Sequence, residues 1–288
     1  MKFQEDPLEN ALICISQSGH GCVGCSDFHL RSVMRRLHVA ANEKTGDLEE
    51  FNAATGVALK RLARDLEKLR VGIVGSTDTG ILANLLDLAH LIGGNDLIHR
   101  LDLTLVDQCA TPLKICEAFA DRFGVALKTQ QLDFLQGSYA GQFDLILMHG
   151  VVPFFPVDQR PAYLRHIATW LSDGGILLSS THLGTKPYQN TDSVRTQMAV
   201  DNLKDMAAQN LLPERPSLAT LIQRLVASRE TQSVETTVFP DSDSVISAFE
   251  AAALKVNSHW VVRLDGGKAA KNFRRYKHRS IVTCVRAH

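Results

Sequence analysis

No surplus of charge of either sign marks this sequence: lysine plus arginine and aspartate plus glutamate number 31 each, so the formal net charge is zero. No global field therefore draws the protein towards nucleic acid or an anionic membrane. No run of 18 uncharged apolar residues occurs, and the opening MKFQEDPLEN is acidic where a secretory leader would be basic. Neither a membrane span nor export is expected, and the expected location is cytoplasmic. Cysteine is sparse, six residues in 288, which is too few for a disulfide framework of this length, so thiols are expected. Internal repeats and low-complexity tracts are missing too, which excludes a solenoid or a disordered chain.

What remains is a globular composition, 45% hydrophobic and 22% charged, long enough for one large α/β domain with additions. Residues 1–25 are polar and show no sustained period. Behind them Leu30, Val33, Met34 and Leu37 fall at helical spacing, with Asp27 as an N-cap. Leu59, Leu62, Ala63, Leu66 and Leu69 repeat that spacing, with Asp47 as a cap and an interruption expected near Gly56.

From residue 70 the rhythm becomes strand, turn, helix. RVGIVG (70–75), LDLTLVD (101–107), residues 126–132, FDLILM (143–148) and residues 175–180 read as strands, with helices over 81–92, 112–123 and 160–171. That alternation implies right-handed βαβ units and a parallel sheet. Residues 186–235 interrupt it with helical patterns. A helix over 244–254 and two strands, 259–264 and 280–286, complete the pattern. With no helix between them, those two strands are expected to pair antiparallel.

In an open parallel sheet, ligands bind beyond the carboxyl ends of the strands. The first such loop is GSTDTG, from Gly75 through Ser76, Thr77 and Asp78 to Gly80. Small residues let a backbone approach a ligand, and free N–H groups at a helix start favour an anion. Asp107, at the end of the second strand, is of the type that accepts ribose hydroxyls; the alternative for it is an N-cap or turn residue. Asp133 and Phe134 follow the third strand and could meet a purine amino group and ring. His149 and His182 follow the fourth and fifth strands, where a general base is useful, with Tyr188 as a further candidate. His166 sits mid-helix and reads as structural.

Taken in order, the glycine loop, the acid ending the second strand, Asp133, FDLILMHGVVPFF, a helix and LSDGGILLSS resemble the class I S-adenosylmethionine (SAM)-dependent methyltransferases. The resemblance covers about residues 70–185 and the last two strands. It implies a Rossmann-like, doubly wound seven-stranded sheet, mostly parallel with one antiparallel strand. Residues 1–69 would form an N-terminal segment and helical cap, residues 70–288 the methyltransferase-like domain, and residues 186–235 a helical lid insert.

The resemblance further implies SAM as cofactor. Its methionine carboxylate would lie against Gly75, Ser76, Thr77, Asp78 and Gly80. Its ribose would lie on Asp107 beside Gln108, and its adenine near Asp133 and Phe134. The sulfonium would meet backbone at His149 and Gly150, with Phe154 or Phe155 as an aromatic face. A methyl group would pass to a small-molecule acceptor, with His149 or His182 as base; a homo-oligomer is left open.

Two departures keep rivals in play. Ile73 stands where the family has an acid, and Thr77 and Thr79 fall on glycine positions, which favours a methyltransferase fold turned binding or scaffold protein. VGIVGSTDTG also superficially suggests a nicotinamide-dependent oxidoreductase, although the G-x-G-x-x-G spacing is missing. Cys22-Val-Gly-Cys25, with Cys14, His20 and His29 nearby, has half the spacing of a zinc site. No second pair completes it, so no metal is expected. The basic run from Arg263 to Arg279 reads as a solvated connection or an anion-facing surface.

Overall fold

The computed structural model describes residues 2–17, 20, 27–39, 46–134, 139, 142–184, 193–231, 238–263 and 278–287. In chain order the elements are α1 (Pro7–Gln17), α2 (Phe28–Val39), α3 (Gly46–Asp65), β1 (Leu69–Val74), α4 (Gly80–Arg100), β2 (Leu101–Asp107), α5 (Ala110–Phe123), β3 (Leu127–Gln131) and β4 (Phe143–His149). They continue with α6 (Arg160–Ala168), β5 (Leu171–Leu183), α7 (Ser193–Ala208), α8 (Leu218–Thr231), α9 (Ser242–Glu250), β6 (Leu254–Arg263) and β7 (His278–Arg286).

The strands form one seven-stranded sheet in the order β3-β2-β1-β4-β5-β7-β6. The pairs among β1 to β5 are parallel, and β7 runs antiparallel between β5 and β6. The order reverses between β1 and β4, which opens a crevice at their carboxyl ends.

The period of two along each strand divides the core into two faces. Val71, Ile73, Leu103, Leu105, Leu145 and Leu147 point to one face and pack with residues of α3, α4 and α5. Val74, Val106, Ile146, Met148 and Leu177 point to the other and pack with α6 and α9. Covered on both sides, β4 reads as a continuous apolar run from Leu145 to Met148. A third cluster joins Ala11, Cys14 and Ile15 of α1, Leu30, Val33 and Met34 of α2, Leu203 of α7 and Leu221 and Leu225 of α8. Asn202 Nδ2 donates to the Met34 carbonyl at 2.6 Å and ties α7 to α2.

Several elements differ from the sequence expectation. Within residues 1–25 lies α1, capped by Asp6, whose Oδ1 accepts the N–H groups of Leu8 and Glu9 at 3.0 Å each. Its buried face includes the polar Asn10 beside Ala11, Cys14 and Ile15, which blurs the apolar period. α3 runs through Gly56 without a break, and its Phe51, Leu59 and Leu62 sit in the sheet core rather than in the cap. α4 is long and apolar enough to cross a membrane by count, yet Leu82, Leu85, Leu86, Ala89 and Leu97 pack against the sheet, and the backbone leaves helical angles at Gly93 and Gly94. β6 begins five residues earlier than expected, at Leu254.

Candidate functional site

Gly75 leaves β1 at φ 72°, and a Cβ there would stand 2.6 Å from Val151 Cγ2. Only glycine lets the turns after β1 and β4 approach so closely in that conformation. The neighbouring acid is tied to the same turn. Asp107 is buried at the end of β2; its Oδ2 accepts the Ser76 N–H at 2.9 Å and its Oδ1 the Cys109 N–H at 2.8 Å. Ser76 Oγ donates to the Asp78 carbonyl at 2.6 Å. The loop is thus shaped by the carboxylate expected to read a ribose.

The N-terminal helices close over this loop. Arg36 of α2 forms an ion pair with Asp78 and lies 3.5 Å from Glu5. His29 Nε2 is 3.2 Å from the Ser76 carbonyl, and Asn10 Nδ2 donates to Thr79 Oγ1 at 3.3 Å. Burial pushes the Asp78 carboxyl up, but Arg36, the Gly80 N–H and the field of His149 together hold it below the usual range. Burial raises the Glu5 carboxyl against the pull of Arg36. It also lifts the Cys116 thiol, which faces the Asp78 carbonyl at 3.6 Å. The cavity among Glu5, Pro7, Asn10, Val33, Arg36 and Asp78 is about 10 Å³, space for about one water.

A second polar cluster occupies the ends of β4 and β5. Sheet register sets His149 beside Ser180 across the parallel pair, and His182 opposite Arg279 across the antiparallel one. Arg279, 6% exposed, bridges them. Its Nη1 lies 2.6 Å from His149 Nε2 and 3.3 Å from Ser180 Oγ, and its Nη2 lies 2.6 Å from His182 Nε2. A guanidinium only donates, so each imidazole presents a lone pair at Nε2 in this arrangement. Phe51 of α3 meets the His149 ring edge-on at 5.1 Å. Gly150 turns away at φ 73° and donates its N–H to the Ser180 carbonyl at 2.8 Å.

The structure therefore gathers Gly75, Ser76, Asp78, Asp107, His149, Gly150 and His182 at one edge of the sheet. Thr77 is half-buried in the same loop, and Gly80 opens α4 with its N–H on Asp78 Oδ1 at 2.9 Å. Gln108 and Asp133 are exposed. Phe134 departs from its expected role. It is buried, with its ring 6.1 Å from Phe155 and 6.4 Å from Trp170, so it is a core side chain rather than an open stacking face. Phe155 is buried as well and stacks on Tyr163 at 4.2 Å, whereas Phe154 is 45% exposed and meets Phe28 edge-on.

Arg36, Asn10, Glu5 and Arg279 were not anticipated. The sequence places Arg279 at the end of a basic run that reads as a solvated connection or an anion-facing surface; it is a buried strand residue. Cys22 and Cys25, Tyr188 and the rest of the basic run from 264 to 277 lie outside the described residues. Among the described residues, no group of three or more His, Cys, Asp or Glu is arranged to hold a metal ion.

No protein-family model matches the sequence, and no curated protein matches it. Solved structures do. One is a chain of the complex between the Haloferax volcanii Trm112 methyltransferase activator and a methyltransferase, at 13% identity and a TM-score of 0.52, covering 92% of this chain and 98% of that one. Another is a SAM-dependent methyltransferase from Clostridium acetobutylicum ATCC 824, at 11% identity and a TM-score of 0.50, covering 89% and 97%. The fold is that of the class I SAM-dependent methyltransferases. At such identities the likeness carries the fold, and the chemistry rests on the side chains at the strand ends.

Proposed function

We propose that the protein binds SAM in the crevice beyond β1, β2 and β4 and transfers its methyl group to a small-molecule acceptor. The observation that carries this reading is the buried Asp107 carboxylate at the end of β2, locked beside the positive-φ turn of Gly75. The residues fit the ligand's chemistry. A carboxylate oxygen accepts more than one hydrogen bond, so ribose hydroxyls can share Asp107 with the two backbone N–H groups. The loop from Gly75 to Gly80 would take the amino-acid end, and Gly150 lets backbone approach the reacting centre.

Bound there, SAM supplies a methyl group on a cationic sulfur. The chain's own contribution is to align the acceptor, exclude water and take a proton where the acceptor is a hydroxyl or an ammonium. His149 and His182 are the candidate bases: each presents its Nε2 lone pair to Arg279, and takes a proton there once that contact gives way. Phe28, Phe51 and the cap helices would shield the site. The buried free thiols Cys116 and Cys284 suit a reducing, cytoplasmic setting.

Calorimetric titration with SAM and S-adenosylhomocysteine tests this. Micromolar binding is expected, and Asp107→Ala should weaken it more than tenfold; unchanged affinity would sink the ribose assignment. A second reading, a methyltransferase fold used for binding alone, is favoured by the closed contacts of Arg36, His29 and Asn10 over the loop. It predicts no binding of either ligand at millimolar concentration.

A further inference from the structure

Arg279 holds a position that neither the sheet nor the cofactor reading requires. It enters from β7, the strand running against its neighbours, so its side chain arrives at the carboxyl edge where β4 and β5 end. Both Nη atoms face that edge. Around them stand His149, Ser180 and His182, each able to turn from acceptor to donor by a tautomer change or a hydroxyl rotation. Gly150 adds no bulk beside them; even a Cβ there would remain 3.8 Å from Nη2. An oxyanion arriving at this point would meet a forked guanidinium, a hydroxyl and an imidazole N–H from one of the two histidines. That is a donor set suited to a carboxylate or phosphate.

We infer that Arg279, His149, Ser180 and His182 form an oxyanion-binding subsite, and that the molecule accepting the methyl group carries a carboxylate or phosphate that docks there. The substrate assignment rests on the methyltransferase reading; the anion site itself does not. Charge supports the pairing. On the methyltransferase reading the sulfonium would come to the carboxyl end of β4, and an anionic acceptor would then be attracted both to it and to Arg279. His149 and Asp78 feel each other's field, and Arg36 pairs with Asp78. Arg279 is thus a binding and orienting group, leaving one imidazole to take the acceptor's proton as the other holds the anion.

The test titrates inorganic phosphate and, separately, benzoate into the full-length protein, reading the histidine ring resonances and the thermal midpoint. At least one of the two anions should shift the His149 and His182 signals, assigned through His149→Gln and His182→Gln, with millimolar affinity or better. Arg279→Gln should weaken that binding at least tenfold, whereas Arg279→Lys, which keeps the charge without the fork, should fall between. If neither anion moves either histidine in the unsubstituted protein, or if Arg279→Gln binds as well, the subsite is overturned. Should Arg279→Gln fail to fold, the unsubstituted protein and Arg279→Lys still carry the test. S-adenosylhomocysteine is titrated in parallel. Its failure to bind would remove the methyltransferase reading while leaving anion binding to stand or fall separately.

Discussion

Two arginines hold opposite ends of the same sheet, and they are partnered by different chemistry. At the amino ends, Arg70 grips Asp144 with its backbone N–H at 2.9 Å, Nε at 3.1 Å and Nη2 at 2.6 Å, and Ser172 Oγ adds a bond of 2.8 Å to the same carboxylate. At the carboxyl ends, the described bonds of Arg279 go to two imidazoles and a hydroxyl. A carboxylate fork satisfies a guanidinium in charge and geometry, and it has no reason to let go. Imidazole and hydroxyl partners can reverse their polarity and admit a third party. The first arrangement belongs to architecture, and the second is the one inferred above to serve recognition.

The comparison can be broken by substitution. Asp144→Ala should have the largest effect on stability, on the order of 3 kcal/mol, because it removes a buried acid and strands Ser172 and the Arg70 N–H. The figure sits low in its range since the Arg70 side chain is 43% exposed and can return to water. Denaturant unfolding measures it, and affinity for S-adenosylhomocysteine should not change. An equal loss of stability in Arg279→Gln, with no change in anion binding, would make the two arginines alike.

A smaller effect concerns acid. Asp78 titrates below its ordinary value, so it contributes stability above about pH 4 that is lost as pH falls through its folded value. Glu5 is raised and acts with the opposite sign: its folded form takes up a proton more readily, and its contribution fades as pH rises above about 4. The denaturation midpoint should therefore drop below pH 4, and Asp78→Asn should flatten that drop; an unaltered acid limb would remove Arg36–Asp78 as the cap's fastening. Smallest of all is Gly56→Ala. The new Cβ would meet Leu88 Cδ2 at 3.7 Å, an ordinary contact, inside an unbroken helix. It should raise stability by about 0.5–1 kcal/mol in the same unfolding measurement and leave both arginine clusters untouched.

The sheet was legible in the sequence because its central strands β1, β2 and β4 are buried on both faces, and β1 and β2 end at Gly75 and Asp107. The placement of His149 and His182 at the carboxyl ends of the sheet could be read for the same reason, since each lies at the end of an apolar strand. The helix at Pro7–Gln17 carried a readable Asp6-Pro7 start, but its short, partly polar buried face hid the period. Phe134 could not be assigned, because an aromatic residue after a strand serves a core as readily as a ligand. Arg279 was out of reach for a different reason. It lies 97 residues from His182 in the chain, and only the antiparallel register sets the two opposite each other. Arg36 likewise matters through a loop 42 residues away. Contacts of this kind are made by packing between elements, which a local pattern does not encode.

The position of β7 has a consequence for how the molecule is made. It is synthesised after β6 yet lies between β5 and β6, so the sheet cannot be laid down in the order in which the ribosome delivers it. Until β7 emerges, β5 presents a bare edge over the whole span in which α7, α8, α9 and β6 are being added, and β6 has no neighbour to join. The nascent chain thus passes through a stage with a sticky, half-built sheet and no Arg279 at its rim. Pairing of β7 then covers the edge of β5, gives β6 its neighbour and brings Arg279 to His149 and His182 in one event.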